Sequence, residues 1–435
     1  MAGPAEKWHA RLLTHQALRR IVANTGWLLF DKLLRLVLWL VVGAWVARYL
    51  GPNDFGELAY VLATMAFFQI ACALGADQIV VRDIAHHPEN ASVLLGTLLA
   101  MRTAAGLVGW IVAVAITALF SGGDEKAVAL VALAGGSLVF LAGDTVDLWF
   151  QSQTQSRRTV LAKLGAVLLS NGCKVALILI RAPVAAFAIM VALEAAAGAA
   201  GLALVYRRFR TLEPWRAVAA QARQLLRQSY PFLLSGLSIT VYMRIDQIMI
   251  KNMLGQRQLG IYAAALSISQ LWHIIPTTVS ISVAPDIARR KLQGQLEYER
   301  ALLLLFRISG AAALCIAAMC ALGAPILVKL LYGSQYTQAA PILAIHALSN
   351  FFVFQGVVAA LWLTNEGAGH LYLMKTVLGG FTAVVANLLL LPRFGITGAA
   401  VGALFSFGIS SVFSNLLFAP RIFLMQFGIR PPLPG

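Results

Sequence analysis

The chain has 435 residues, 60% of them hydrophobic and 12% charged, with a formal net charge of +16. Because soluble domains carry about 25% charged residues, this composition excludes an ordinary soluble protein. Apolar runs of about 20 residues, the length that crosses a bilayer as an α-helix, recur along almost the whole chain. The alternation of polar and apolar residues that marks a transmembrane strand is missing, which excludes a barrel. We therefore predict an all-α integral membrane protein.

The positive charge does not indicate nucleic-acid binding, because the basic residues lie in short loops between apolar runs rather than on one soluble face. The cysteines fall within apolar runs, without the partners of a zinc site or a disulfide framework; they are Cys72, Cys173, Cys315 and Cys320. No phosphate-binding P-loop pattern occurs, so we expect no ATP hydrolysis in this chain. We also expect no metal site and no cofactor. The first apolar run is too long for a cleavable signal.

Residues 1–25 are polar and basic, with leucines at helical spacing, which is typical of an interfacial helix on the cytoplasmic surface. About twelve membrane-spanning helices are predicted to follow. Their ranges are 26–48, 57–80, 93–120, 126–150, 159–181, 184–206, 229–253, 259–284, 300–324, 338–363, 370–391 and 396–420. Pro276, near His273, is expected to break the eighth. Residues 421–435 are predicted to form a cytoplasmic tail.

One seven-residue turn occurs twice, nearly half the chain apart. Residues 50–56 read LGPNDFG and residues 254–260 read LGQRQLG, and each turn separates two apolar runs. Such a repeat indicates two like units, as in secondary transporters that hold substrate between their halves. The arginine-rich residues 207–228 are predicted to link the units as an amphipathic helix on the inner leaflet. We therefore predict two six-helix lobes, 26–206 and 229–420.

Lysine and arginine residues of the loops are distributed unequally between the two sides of the membrane. With the N-terminus inside, most of them fall in cytoplasmic segments. The opposite side holds Arg48, Lys126, Arg181, Lys251, Arg257, Lys329 and Arg393. Because positively charged loops stay in the cytoplasm, both termini are predicted to be cytoplasmic.

Ionisable residues within spans are costly and usually face a cavity or each other. The first span contains Asp31, Lys32 and Arg35. Asp31 and Arg35 are four residues apart on one helical face, so they can pair. Lys32 or Arg35 either supplies positive charge to an anionic substrate or extends to the nearby cytoplasmic surface. Both interpretations stay open at this point.

The seventh span contains Arg244 and Asp246, and Arg244 is the cation of this span that lies deepest in the membrane. Because a side chain at that depth does not easily reach water, we predict that Arg244 binds substrate. Asp246 either neutralises a neighbouring cation or takes part in ion coupling. The other candidate cavity cations are Arg102, Lys174 and Arg307.

Three more carboxylates lie within spans. Asp144 and Asp147 share a helical face and either carry a coupling proton or pair with cations. Glu194 is a candidate partner of Lys163 or Lys174, or a candidate for ion coupling. The interior carries more cations than anions in both halves, and a cationic cavity of low dielectric constant attracts phosphate or pyrophosphate strongly.

Six stretches, in this order, carry a family resemblance: ARYLGP with FG at 47–52 and 55–56, VVRD at 80–83, YMRIDQ at 242–247, LGIYAAA at 259–265, LYGSQYTQAAP at 331–341 and NLLLLPRFGITGAA at 387–400. Together they resemble the Wzx-type O-antigen flippases and wider polysaccharide exporters. That superfamily also contains the multidrug and toxin extruders and the lipid II flippases. The resemblance extends from about residue 20 to residue 420.

The resemblance implies two six-helix lobes around a central cavity that opens alternately to each side of the bacterial inner membrane. It implies a short oligosaccharide on undecaprenyl pyrophosphate as substrate, moved from the cytoplasmic to the periplasmic leaflet. In related flippases, arginines of the first span and of the second lobe face the pyrophosphate, and Arg35 and Arg244 are the matching residues here. No matched motif implies a coupling ion.

We therefore predict a flippase for O-antigen or exopolysaccharide repeat units, not an enzyme. Its expected partners are the lipid-linked glycan and the bilayer, with polysaccharide polymerase machinery as a candidate and no nucleic acid. One alternative is a cation-coupled drug or metabolite exporter of the same fold, which predicts a cavity dominated by an acidic site. A membrane polymerase or ligase is a weaker alternative, because the predicted outer loops are too short to hold catalytic residues.

Overall fold

The computed structural model describes residues 4–211 and 213–429, with side chains described from residue 34 onward. Nearly all of this part of the chain is helical, and it contains no strand. The all-α prediction is therefore confirmed. The predicted interfacial helix at 1–25 and the side chains of Asp31 and Lys32 lie outside the residues whose side chains are described.

The part of the first half that the structure describes contains seven α-helices. They are α1 (Pro4–Ala73), α2 (Asp77–His86), α3 (Ala91–Phe120), α4 (Glu125–Phe140), α5 (Thr145–Ser152), α6 (Ser156–Leu179) and α7 (Val184–Arg208). In the second half, nine α-helices lie within the described residues. They are α8 (Ala219–Leu254), α9 (Gln256–Gln270), α10 (Ile274–Gln293), α11 (Gln295–Tyr332), α12 (Ala339–Ala347), α13 (Ser349–Asn365), α14 (Gly369–Gly408), α15 (Asn415–Phe418) and α16 (Pro420–Gln426).

Among the described residues, 10 helical segments are long and apolar enough to cross a membrane, as a multi-pass membrane protein requires. The helices expose large apolar side chains outward: Leu119 is 78% and Leu322 is 84% exposed. Surfaces of this kind suit contact with lipid tails rather than water.

The two longest segments, Leu34–His86 and Gly369–Phe418, span 53 and 50 residues and are each interrupted by a glycine. Gly51 in α1 has φ 72° and ψ 172°, and Pro52, which lacks a backbone N–H, follows it. Gly395 in α14 has φ 59°. Residues that carry a side chain rarely adopt a positive φ, whereas glycine does so without strain. Glycine therefore permits these breaks.

The two predicted turns have nearly the same backbone conformation. Gly255, between α8 and α9, has φ 90° and ψ 170°, close to the values of Gly51. The two turns also meet in space. A Cβ atom built on Gly56 would lie 1.8 Å from the Gln256 carbonyl oxygen, and one on Gly260 would lie 1.9 Å from that of Pro52. The backbones of α1 and α9 are therefore in direct contact at this crossing.

Three predicted spans have internal breaks or end early. The second ends at Ala73, where Leu74 and Gly75 both have positive φ. The fourth is interrupted after Phe140 by a 3₁₀ turn, Leu141–Asp144. The eighth is interrupted by the 3₁₀ turn Leu271–His273, close to Pro276, where the sequence predicted a break.

The linker prediction was wrong for its middle part. Among the described residues of 207–228, only those at the two ends are helical, since α7 ends at Arg208 and α8 begins at Ala219. Between them, the backbone N–H of Arg216 donates to the Ser92 carbonyl at 3.2 Å, and that of Val218 donates to Thr97 Oγ1 at 3.1 Å. Residues at the start of α3 thus accept hydrogen bonds from these two N–H groups. In an amphipathic helix, the same N–H groups would have donated to carbonyls of that helix.

The predicted tail is also partly packed. Its first residues belong to α16, which folds back against α11 and buries Ile422 and Met425. The two halves contact each other mainly through α1, which packs against α8, α9 and α11. The other helices of each half pack chiefly within that half, for example α3 against α4 and α8 against α14.

Candidate functional site

Two adjoining cavities open beside α1. The central cavity, of about 340 Å³, lies between the two halves and is lined from α1, α6, α7, α8, α9 and α11. The side cavity, of about 470 Å³, is lined only by residues of the first half. Both volumes fall in the range of about 300–1,000 Å³ that is typical of small-molecule sites. The residues that line both cavities are Trp39, Leu62, Gln69, Lys174 and Val191.

Arg244 extends from α8 into the central cavity and is half-buried. Among the described residues, no carboxylate lies within 4.0 Å of its guanidinium group. Lys174 is the other charged residue in the described lining of this cavity. The remaining lining is mostly apolar, with amide side chains from Gln69, Asn171 and Gln247 among its polar groups.

Asp246 lies two residues after Arg244 but is buried away from the cavity, with 5% of its surface exposed. It accepts a hydrogen bond from the Tyr262 hydroxyl and another from the Gln247 backbone N–H at 2.8 Å. These neutral donors, rather than a salt bridge, hold the carboxylate in the second half. Asp246 thus makes hydrogen bonds to neutral donors and has no salt bridge within 4.0 Å among the described residues.

The charged groups of the side cavity occur as ion pairs within the first half. Lys163 Nζ lies 2.8 Å from a carboxylate oxygen of Asp144 and 2.8 Å from one of Asp147. Lys174 Nζ lies 2.9 Å from Glu194, which also accepts a hydrogen bond from the Ser170 hydroxyl. The geometry thus pairs these carboxylates with cations, one of the two interpretations left open from the sequence.

Arg35 lines the side cavity from α1 and is half-buried. It lies about four helical turns before the Gly51 break, on the same stretch of α1 as Trp39. Arg35 lines the side cavity, Arg244 lines the central cavity, and Trp39 lines both. The two arginines singled out by the resemblance therefore face neighbouring spaces.

Arg102 and Arg307 lie elsewhere. Arg102 is 2% exposed and forms an ion pair with Asp77, while also donating to the Ala73 carbonyl at 3.0 Å, so it ties α3 to the corner after α1. Arg307 is exposed and donates to the Gly428 carbonyl at 2.6 and 3.1 Å. Neither arginine is part of the described lining of the two cavities.

Sequence reasoning did not find the residues that close the far end of the central cavity. Phe55 and Tyr332 line that end, with ring centroids 6.5 Å apart, and Tyr336 packs edge-on against Phe55 at 6.2 Å. The Tyr336 hydroxyl donates to the Ala47 carbonyl at 2.7 Å. Beyond these rings is the crossing of α1 with α9, so this end of the interface between the halves is closed.

Ionic contacts between the halves add to the closed end. Lys251 of α8 lies 3.1 Å from Glu57 of α1 and also pairs with Asp124, which precedes α4. Arg48 of α1 donates to the Lys329 carbonyl of α11 at 3.1 Å. The last glycine of each repeated turn, Gly56 or Gly260, is the feature of the sequence that could have predicted this closed end, because glycine permits close approach of two backbones.

Asp124 lies in the loop between α3 and α4. Burial opposes its ionisation, but the hydrogen bond from Lys251, the N–H of Ala127 and the neighbouring lysine charges outweigh that effect and hold the pKa of this carboxyl below its usual range. Asp124 therefore carries negative charge at neutral pH and contributes an anion to the contact between the halves.

Comparisons with known proteins agree with this architecture. Residues 21–289 match the family model for polysaccharide biosynthesis proteins. The fold is similar to an inward-facing multidrug-resistance MATE transporter of the MOP superfamily, with a TM-score of 0.72, 17% identity, and coverage of 90% of this chain and 96% of that one. It is also similar to the lipid II flippase MurJ in an inward closed conformation, with a TM-score of 0.73, 13% identity, and coverage of 93% and 90%.

A third similar structure is a MOP-superfamily transporter from Pyrococcus furiosus, whose binding pocket is described as having reversed polarity, with a TM-score of 0.59, 17% identity, and coverage of 94% and 96%. No curated protein sequence matches the chain significantly. The structural similarities, at these identities, establish the transporter fold. The family model covers more than half of the chain, and the chain therefore belongs to the polysaccharide biosynthesis protein family.

Proposed function

We propose that this protein is a flippase that moves an undecaprenyl-pyrophosphate-linked oligosaccharide, an O-antigen or exopolysaccharide repeat unit, across the bacterial inner membrane. The observation that carries the proposal is Arg244, a half-buried guanidinium that faces the central cavity without a carboxylate within 4.0 Å among the described residues. Family membership supports a role in polysaccharide synthesis. The similarity to MurJ supports a flippase fold.

A guanidinium is suited to the pyrophosphate of such a substrate. It remains charged at any physiological pH and presents several N–H donors to phosphate oxygens. Placing it in a cavity within the membrane is costly unless an anion enters, so the site favours an anionic ligand over a neutral one. Lys174 lines the same cavity and adds positive charge, although Glu194 partly neutralises it.

The substrate crosses by alternating access between two lobes, 26–206 and 229–420. Four cations at or near the closed end, Arg48, Lys126, Lys251 and Lys329, belong to the side predicted to be periplasmic. The central cavity therefore faces the cytoplasm, where the lipid-linked glycan is made. Opening the other side requires the crossing of α1 and α9 to separate.

The proposal includes twelve spans with both termini in the cytoplasm. The two segments of 53 and 50 residues are each long enough for two crossings of about 20 residues. Their glycine breaks at Gly51 and Gly395 supply the turns between those crossings. Counting each long segment as two spans raises the 10 segments to about twelve.

A drug or metabolite exporter of the same fold is the alternative, since a multidrug transporter has a similar structure. Transporters of organic cations need a cavity with an excess of negative charge. Here the carboxylates of the side cavity, Asp144 and Glu194, are engaged by lysines, whereas the cation Arg244 faces the central cavity. The distribution of charge therefore favours an anionic substrate.

The test is complementation in the native host after deletion of this gene, with surface polysaccharide and inner-leaflet lipid-linked glycan as the two readouts. Wild type should restore the surface polysaccharide. Arg244→Ala at equal membrane levels should not, and lipid-linked glycan should accumulate. Arg307→Ala is the matched control, because it removes an arginine of another span of the second half that lies outside both cavities, and it should behave as wild type.

Three results would contradict the proposal. If deletion changes neither readout, the protein does not flip a polysaccharide precursor. If deletion instead sensitises the cells to organic cations and wild type reverses this effect, the exporter alternative is correct. If Arg244→Ala restores surface polysaccharide fully, the central cavity does not depend on this arginine for substrate binding.

A further inference from the structure

We propose that the side cavity is the subsite for the glycan of the substrate, and that it selects oligosaccharides of neutral or balanced charge. This inference rests on the proposed function, which places the pyrophosphate beside Arg244 in the central cavity. Its basis is the difference in lining charge between two cavities that share one wall.

The position of the side cavity fits a second part of one elongated ligand. Its lining belongs entirely to the first half, whereas the central cavity lies between the halves. Trp39 and Lys174 line both, so a ligand anchored near Arg244 can continue into the side cavity past these two residues. A pyrophosphate is bonded directly to the first sugar, so the two parts must occupy adjoining spaces.

The charges of the side cavity balance. Its lining contains three cations, Arg35, Lys163 and Lys174, and two carboxylates, Asp144 and Glu194, and the third carboxylate, Asp147, lies beside Lys163. Lys163 is paired with Asp144 and Asp147, and Lys174 is paired with Glu194. Paired ions leave little net attraction for an anion, but they present both donors and acceptors. The side chain of Asp144 is 41% exposed and that of Lys163 is 26% exposed, so a ligand can reach both. Hydroxyl and acetamido groups of sugars both donate and accept hydrogen bonds, which suits such a surface.

Aromatic surface in the side cavity supports the same class of ligand. Trp39 is 45% and Phe140 is 43% exposed, and both line this cavity. Beside charged groups, exposed aromatic rings favour ligands with both an apolar and a polar side. A sugar ring has this character, because its C–H groups form one face while its hydroxyls project from the edge.

Lys163 is therefore a specificity residue for the glycan rather than an anchor for the phosphates. Strongly acidic glycans are disfavoured, because Asp144, Asp147 and Glu194 already balance the three cations of this cavity. This property separates the side cavity from the central one, where Arg244 favours negative charge. The two cavities should then respond differently to changes in the two parts of the substrate.

The experiment measures equilibrium binding of two probes to the full chain in lipid nanodiscs. The first probe is a polyprenyl pyrophosphate without sugar, and the second is the same lipid with a neutral N-acetylated disaccharide. Lys163→Met, which nearly preserves side-chain length, should weaken the glycosylated probe about three- to tenfold, as expected for the loss of one or two hydrogen bonds. The sugar-free probe should change by less than about twofold.

Arg244→Ala is the comparison variant and should weaken both probes by similar factors. Binding of the sugar-free probe shows that Lys163→Met is folded. If Lys163→Met weakens both probes equally, or neither, the glycan subsite is wrong while the flippase proposal stands. If wild type binds an otherwise identical probe bearing uronic acids more tightly than the neutral one, the charge selectivity is wrong. If wild type binds no probe, the proposed function itself fails.

Discussion

The two ends of the interface between the halves differ in how their charges are paired. At the closed end, Lys251 of the second half pairs with Glu57 and Asp124 of the first half. At the cavity end, the pairs of Lys163 and Lys174 form within the first half. Opening the closed end must therefore break ion pairs and backbone contacts, whereas the pairs in the cavity can survive the same movement.

This difference separates residues that set the conformation from residues that meet the substrate. The closed end is in direct backbone contact at Gly56 and Gly260, with a small pocket of about 180 Å³ beside Lys251 and Asp124. The cavity end has open volume beside its charged groups. Substitutions at the closed end should change stability and access, and substitutions in the cavities should change binding with a smaller effect on stability.

The largest effect is expected for Gly56→Ala. The added Cβ would meet the Gln256 carbonyl at 1.8 Å, far inside any real Cβ contact, so the crossing must separate. A cysteine at Ala47, which is 0% exposed in the closed end, reports this separation. In a background without native cysteines, labelling of Ala47→Cys by a membrane-impermeant maleimide should rise several-fold, and transport should fall.

Gly43→Ala is the matched control, since this glycine lies in the same helix and an added Cβ would have nothing within 4 Å. Labelling of Ala47→Cys should be unchanged in this control; labelling is the readout, because Gly43 lines the central cavity. Equal labelling in the two variants would show that the crossing at Gly56 does not close this end of the protein.

The second largest effect is expected for Lys251→Met. This change leaves Glu57, which is 2% exposed, without its cation, and removing one partner of a buried pair costs about 3–5 kcal/mol. Thermal unfolding of the detergent-solubilised chain should show the loss. Adding Glu57→Gln should restore a large part of the lost stability, because the double variant no longer buries an unpaired charge. Additive losses in a double-mutant cycle would mean that the two side chains do not interact.

A smaller effect is expected on acidification. The pKa of Asp124 is held below its usual range in the folded protein, since the hydrogen bond from Lys251 and the other favourable contacts outweigh burial. Its contribution is therefore complete at neutral pH and is lost as the pH falls from about 5 through the folded-state value. Wild type should be more stable than Asp124→Asn at pH 6, and this difference should shrink in acid.

Asparagine is the suitable replacement because it retains an acceptor for the Ala127 backbone N–H, which Asp124 now caps at 3.0 Å. The unfolding midpoints of both proteins across this pH range provide the measurement. A difference that stays constant with pH would show that the carboxylate charge of Asp124 does not support the closed end.

The smallest effect on stability is expected for Lys174→Met. The side chains of Lys174 and Glu194 are 25% and 34% exposed to the cavity, so water screens their pair, and its loss should cost about 1 kcal/mol or less. Labelling of Ala47→Cys should not change, because the pair does not join the halves. A destabilisation as large as that of Lys251→Met would remove the distinction between the two ends.

The helices and their breaks could be predicted from the sequence to a large extent. Within lipid, each backbone polar group must be satisfied inside its own helix, so long apolar runs leave the chain little choice. The repeated turn predicted Gly51 and Gly255 as matching breaks, and Pro276 predicted the interruption of the eighth span. The middle of the linker was mispredicted, because Ser92 and Thr97 of α3 supply hydrogen bonds that no local pattern reveals.

The roles of the buried cations depended on the packing of the helices. Arg102, Arg244 and Arg307 are each one arginine within an apolar run, and the sequence distinguishes Arg244 by its depth and its motif but shows the surroundings of none of them. In the packed structure, Arg102 pairs with Asp77, Arg244 faces the central cavity and Arg307 donates to the Gly428 carbonyl. Lipid is as apolar as a helix interface, so hydrophobicity cannot specify which face of a membrane helix turns inward. Contacts between helices set that rotation, and with it the site.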